Sequence, residues 1–164
     1  MLQKKVCVLG AFGVGKTTLV RRFVESIFSD AYLTTVGVKI DKKMVEVAGQ
    51  AITLVLWDIA GEDDVTAIRM SYVRGAAGYF LVADGTRAET LKVASSIQAR
   101  LTAEIGVAPF LLLLNKADLQ ESWDISSQPI ASLETAGWTI RRTSAKTGEG
   151  VEEAFQELAT RMVS

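Results

Sequence analysis

VKIDKKMVEVAGQAITLVLWD, residues 38–58, interrupts an otherwise regular alternation of strand and helix patterns. Two β-prone runs, VKIDKKMVEV and AITLVLWD, are separated only by Ala48, Gly49 and Gln50. A parallel crossover needs a dozen or more residues, so strands joined this tightly run antiparallel. Elsewhere KVCVLG (5–10), GYFLVAD (78–84) and PFLLLLN (109–115) are short, nearly continuous apolar runs. Such runs suit central parallel strands covered on both faces. Between and after them, apolar residues recur at helical spacing: Leu19, Val20, Phe23 and Val24; Leu91, Ala94, Ile97, Leu101 and Ile105; Val151, Ala154, Phe155, Leu158 and Met162. These stripes are expected to pack on the sheet. The expected fold is α/β, a six-stranded mixed sheet with five strands parallel and one antiparallel, and helices on both faces. Ligands of such sheets bind beyond the carboxyl ends of the strands.

The 164 residues suit a single domain spanning 1–164. Apolar residues make up 49% and charged residues 23%, with a net charge of −1. That balance argues for no nucleic-acid partner and no anionic membrane surface. Histidine is absent and Cys7 is the single cysteine. Catalysis by a Ser-His triad or a His-activated thiol is therefore excluded, as is zinc held by His or several Cys. Any metal must take oxygen ligands, which favours magnesium or calcium. A lone cysteine in an apolar strand fits a reducing cytoplasm. There is no signal-peptide pattern at MLQKKVCV, no glycine at position 2 for myristoylation and no cysteine in ELATRMVS. The expectation is a cytoplasmic monomer with no visible lipid anchor.

GAFGVGKT (10–17) follows one predicted strand and opens a predicted helix. Gly10-x4-Gly15-Lys16-Thr17 in that context is the phosphate-binding P-loop. The glycines let successive backbone N–H groups turn inward around phosphate oxygens, and the helix N-terminus adds partial positive charge. Gly13, Val14, Gly15, Lys16, Thr17 and Thr18 are the candidate phosphate-binding residues. Lys16 is expected to reach the β- and γ-phosphates, and the Thr17 hydroxyl can bind Mg²⁺.

A P-loop does not choose the base; Asn115-Lys116-Ala117-Asp118 does, at the end of the FLLLL strand. A carboxylate accepts two hydrogen bonds from guanine, at N1–H and at the exocyclic amine. Adenine offers a lone pair and a bare C–H at the same places. Losing two charge-assisted bonds costs about 3–6 kcal/mol, on the order of 10²–10⁴ in affinity. Trp57-Asp58-Ile59-Ala60-Gly61 closes another strand on the same edge. Asp58 can hold magnesium through a water. The Gly61 N–H can sense a γ-phosphate, because no side chain blocks its approach.

With these three motifs in order, the chain resembles the Ras superfamily of small GTPases, and most closely its Rab branch. The likeness spans nearly the whole chain. YLTTVGVKI (32–40) looks like the first switch and LWDIAGE (56–62) the second. SYVRGAAGYFLVADGTRAETL (71–91) is similar to the Rab pattern, and TSAKTGEG (143–150) resembles the last guanine-binding loop. The resemblance implies a switch that binds GTP or GDP with Mg²⁺ and hydrolyses GTP slowly. It implies that Thr35, rather than Thr34, binds Mg²⁺ and the γ-phosphate. It implies that Phe28 stacks beside guanine and ribose, that Lys116 lays its stem along the base, and that Ser144 supports Asp118. The Ala145 N–H would meet the guanine carbonyl, with Lys146 beside it. Protein effectors and regulators would engage residues 27–40 and 58–72 in a GTP-dependent way.

Two residues depart from the family pattern. Glu62 stands where a glutamine usually follows D-x-x-G, and an ionised carboxylate accepts from water but cannot donate to a phosphoryl oxygen. Phe12 stands where the family prefers a small residue. Lys16, Thr35, Gly61 and Glu62 are the candidate catalytic residues. Arg69 and Arg74 fall in the second switch and its helix, and read as a solvated face. The two departures motivate an alternative, a GTP-binding interaction module with negligible hydrolysis. A P-loop kinase of small substrates is disfavoured by the guanine motif.

Overall fold

A computed structural model describes residues 2–25 and 37–163. Among them six strands form one sheet: β1 (Leu2–Gly10), β2 (Val38–Val47), β3 (Gln50–Ile59), β4 (Gly78–Asp84), β5 (Phe110–Asn115) and β6 (Ile140–Arg142). The spatial order is β2-β3-β1-β4-β5-β6. Only β2 and β3 pair antiparallel, with Val47 opposite Gln50. Every other neighbouring pair is parallel. The five-plus-one arrangement expected from the sequence is therefore the one observed. The hairpin turn is two residues long, with φ 51° at Ala48 and 81° at Gly49. Both angles are positive, as the primed turn matching strand twist requires.

The helices are α1 (Lys16–Glu25), α2 (Glu89–Ile105), α3 (Ser127–Thr135) and α4 (Val151–Val163). Leu19, Val20 and Phe23 of α1 and Val151, Phe155 and Leu158 of α4 share one apolar layer with Val6, Val8, Phe80 and Leu113. Phe23 stacks on Phe155 with ring centroids 3.9 Å apart. Leu91, Ala94, Ile97 and Leu101 of α2 fill the opposite layer with Cys7, Tyr79 and Leu112. Residues of β1 and β4 alternate between the two layers, so the central strands are buried on both sides and read as unbroken apolar runs. Strand β4 is buried along its whole length.

The segment between β3 and β4 differs from expectation. It holds two short 3₁₀ turns, Val65–Ala67 and Met70–Tyr72, rather than a helix. Ile68 and Val73 anchor it in the core, and their spacing suits two tight turns better than the 3.6-residue repeat. Arg74 therefore lies on no helix; its Nε donates to Glu104 at 2.8 Å.

Candidate functional site

Four loops leave the carboxyl ends of β1, β3, β5 and β6 on one edge. The loop after β1 runs Ala11 to Gly15 into the first turn of α1. Gly13 and Gly15 have φ of 75° and 97°. At Gly15 a Cβ would also collide with the amide nitrogen of Asn115. That amide donates to the Val14 carbonyl at 3.0 Å, binding the glycine-rich loop to the end of β5. Thr18 lies in the first turn of α1, beside Thr17.

Lys16 is 5% exposed. Burial pushes its pKa below the ordinary lysine value, and the carboxylates of Asp58 and Glu62 oppose that shift. A desolvated ammonium at a helix N-terminus suits a multiply charged anion. Gly61 lies against the same loop. A Cβ there would stand 2.8 Å from the Ala11 carbonyl oxygen and 3.0 Å from Lys16 Nζ. The Glu62 N–H donates to the Gly10 carbonyl at 3.3 Å, and the Phe12 N–H to Asp63 Oδ1 at 3.2 Å. The Phe12 side chain is 51% exposed.

The Thr17 hydroxyl donates to Asp58 Oδ2 at 2.6 Å, and Asp58 is fully buried. A hydroxyl and a carboxylate are hard oxygen donors of the kind Mg²⁺ takes. Among the described residues no cluster of three Asp, Glu, His or Cys side chains gathers. The donor set thus fits Mg²⁺ held between one or two protein oxygens and a polyphosphate, rather than in a protein cage.

On the base side, Ser144 Oγ donates to Asp118 Oδ1 at 2.7 Å. Ser144 is in turn set by its N–H to the Glu149 carbonyl, 2.9 Å, while its Oγ accepts from the Thr147 N–H, 3.1 Å. Lys116 has φ 70° and ψ 37°, a left-handed conformation costly for a side chain with a Cβ. Its ammonium meets Asp84 Oδ2 at 2.7 Å. Burial of Asp84 pushes its pKa up, but Lys116 and two bonds from Thr86 outweigh it and leave the carboxyl below its ordinary range. Ala145 is buried, and the exposed Lys146 follows it. Phe28, Thr34 and Thr35 lie outside the described residues.

Several contributors were not visible in the sequence. Thr143 donates its hydroxyl to Asn115 Oδ1 at 3.2 Å, and the buried Asn115 amide is thereby used at both ends. Arg22 of α1 donates to the carbonyls of Lys146 and Thr147 at 3.3 and 3.2 Å, fixing the β6 loop. Arg87 sends both terminal nitrogens to the Phe12 carbonyl, at 3.1 and 2.9 Å. Each pairs residues distant in the chain, and only the loop placement at one sheet edge could have suggested them.

The phosphate loop, the Thr17–Asp58 pair and the Ser144-braced Asp118 thus meet on one edge. A Ras family model matches residues 5–164. The chain belongs to the Ras family. It is 34% identical to the Ras-related protein Rab-4A of Rattus norvegicus over 163 residues, covering 98% of this chain and 74% of that protein. It is 35% identical to the Ras-related protein Rab-13 of Canis lupus familiaris over 158 residues, 94% of this chain and 77% of that one. As a Rab-like GTPase it binds GTP and GDP with Mg²⁺, hydrolyses GTP to GDP slowly and serves as a molecular switch. The alternative of an interaction module without hydrolysis is not favoured. GTP-dependent effectors and regulators are its partners. No helix among the described residues is long and apolar enough to cross a membrane.

Proposed function

We propose that residues 1–164 form one G domain, and that its switching rests on three groups of residues. Gly13 to Thr18 hold the phosphates, Lys16 neutralising the β- and γ-phosphoryl oxygens with its buried ammonium. Asn115, Lys116, Asp118, Ser144, Ala145 and Lys146 hold guanine, with Phe28 beside the base and ribose. Thr17 and Thr35 would hold Mg²⁺ directly, and Asp58 would hold it through a water. When bound, the cation neutralises charge on the β- and γ-phosphates.

Hydrolysis is in-line attack of water on the γ-phosphorus. The bond from the water oxygen forms as the bridging bond to the β-phosphate breaks, and GDP leaves with the electron pair. The chain contributes position and charge: Lys16 beside the phosphates, the Gly61 N–H toward the γ-phosphate, and Glu62 beside the attacking water. Effectors and regulators read residues 27–40 and 58–72, and the protein works as a monomer in the cytoplasm. The low charge and lone buried cysteine support that location.

The observation that carries the reading is the Ser144–Asp118 bond at 2.7 Å on the edge that also holds the phosphate loop. Anion-exchange chromatography of the nucleotide that copurifies with the protein tests it. Guanine nucleotide is expected; adenine nucleotide alone would overturn the assignment of Asp118.

A further inference from the structure

Trp123 lies beyond the guanine motif and has no part in the roles above. Its indole N–H donates to the Lys116 carbonyl at 3.1 Å. The same carbonyl accepts the Leu119 N–H at 2.9 Å, so both of its lone pairs are used. Lys116 is the residue forced into left-handed backbone between Asn115 and Asp118. The indole thus holds the strained peptide on which the orientation of Asp118 depends.

The ring is itself fixed from two other loops. A side chain at Gly85 would collide with the indole, so glycine there makes room for Trp123. Arg142, at the end of β6, stacks over the ring at 4.4 Å and donates to Gln120 Oε1 at 2.9 Å. Asp124 adds a second tie: its N–H donates to the Gly85 carbonyl at 2.9 Å, and its Oδ2 accepts the Ala88 N–H at 3.1 Å. Arg142 directly precedes Thr143 and Ser144, which bond Asn115 and Asp118. One side chain therefore touches the guanine loop, the loop after β4 and the strand that delivers Ser144.

We infer that Trp123 is a positioning residue for base recognition: by holding the Lys116 carbonyl it aligns Asp118 with the amino group of guanine. The inference rests on the reading of residues 115–118 as the guanine site. A brace of this kind acts on discrimination between bases. A merely structural tryptophan would affect all nucleotides alike.

The experiment compares dissociation of fluorescent GDP and competition by GDP and inosine diphosphate, which lacks the amino group. Wild type should prefer GDP by on the order of tenfold or more, the worth of one charge-assisted bond. Trp123→Phe keeps an aromatic ring and removes the N–H. It should release GDP about three- to tenfold faster and shrink the preference over inosine diphosphate by a similar factor. Gly85→Ala, which displaces the ring without changing residue 123 itself, should do the same and serves if the first variant does not fold. An unchanged preference in the folded variants, whether release is unaltered or equally fast for both nucleotides, overturns the inference. Failure of wild type to bind GDP at all would instead remove the underlying guanine assignment.

Discussion

Ser144 Oγ and Asp118 Oδ1 stand 2.7 Å apart, so the carboxylate proposed to select the base is fixed by a side chain from a different strand end. The bond leaves Asp118 Oδ2 and a second lone pair of Oδ1 for guanine. Asp118→Asn exchanges an acceptor for a donor opposite the exocyclic position, where xanthine carries an oxygen. It should weaken GTP binding and improve binding of xanthosine triphosphate. Ser144→Ala should weaken GDP on the order of tenfold and narrow its preference over inosine diphosphate. Nucleotide competition measures both; wild-type affinity for ATP within about tenfold of that for GTP would refute the role of Asp118.

The Thr17–Asp58 contact at 2.6 Å bears on the metal. Chelation of Mg²⁺ should speed nucleotide release from wild type. Thr17→Ala lacks the hydroxyl ligand, so its release should already be fast in Mg²⁺ and respond little to EDTA. A variant with the full wild-type response would show that Thr17 does not serve the cation.

The role proposed for Lys16 predicts a pH-dependent nucleotide affinity. Its burial lowers the pKa from the ordinary 10.5, with Asp58 and Glu62 opposing. Phosphate binds the ammonium form, and bound phosphate holds the proton on. Affinity should therefore be full below the lowered pKa of the free protein and fall as pH rises through it. Lys16→Arg, charged throughout, should lose that slope even if it binds more weakly. Titration of GDP affinity between about pH 7 and pH 10 checks the sign.

Cys7 in β1 is fully buried, and burial pushes its thiol up to about 12, with Lys5 opposing. The unfolded chain loses this proton near pH 8.5. The contribution to stability is whole below that pH and declines as pH rises toward the folded value, by about 1.4 kcal/mol per unit. Denaturant unfolding of wild type and Cys7→Ala at alkaline pH should show the steeper decline in wild type. Parallel slopes would mean that the thiol ionises equally in both states.

What the sequence made legible was whatever packs on both sides or repeats locally. The apolar runs of β1, β4 and β5, the hairpin at Ala48–Gly49 and the stripes of α1, α2 and α4 were all readable. Helix α3 was not, because none of its residues is fully buried and its apolar contact is limited to the partly covered Ile130 and Leu133. Strand β6 has three residues, two of them arginines, too short for a pattern. In the candidate site, Lys16, Thr17, Asp58 and Asp118 were picked out by motif spacing together with their place at strand ends and a helix start. Trp123, Arg22 and Arg87 did not, since each acts on a backbone carbonyl, and carbonyls leave no trace in a sequence.

Phe12 poses the sharpest question about rate. In related GTPases its position flanks the γ-phosphate on the side where a partner's arginine enters, a contribution of ~10³–10⁵ in rate. Here the backbone of Phe12 is held from two directions, by Asp63 on its N–H and by the Arg87 fork on its carbonyl. Those bonds do not involve the ring, which is 51% exposed. Phe12→Gly should therefore leave GTP and GDP affinity within about threefold, less than the worth of one lost hydrogen bond. It should also clear the space that a guanidinium needs. Arg87→Ala should do the reverse: it frees the Phe12 carbonyl, loosens the phosphate loop and speeds GDP release, while the ring still blocks entry. Single-turnover hydrolysis with and without an arginine-supplying activator separates these effects. Wild type and Arg87→Ala should show little stimulation and Phe12→Gly a strong one. Stimulation of wild type equal to that of Phe12→Gly would mean that the ring does not stand in the arginine's path.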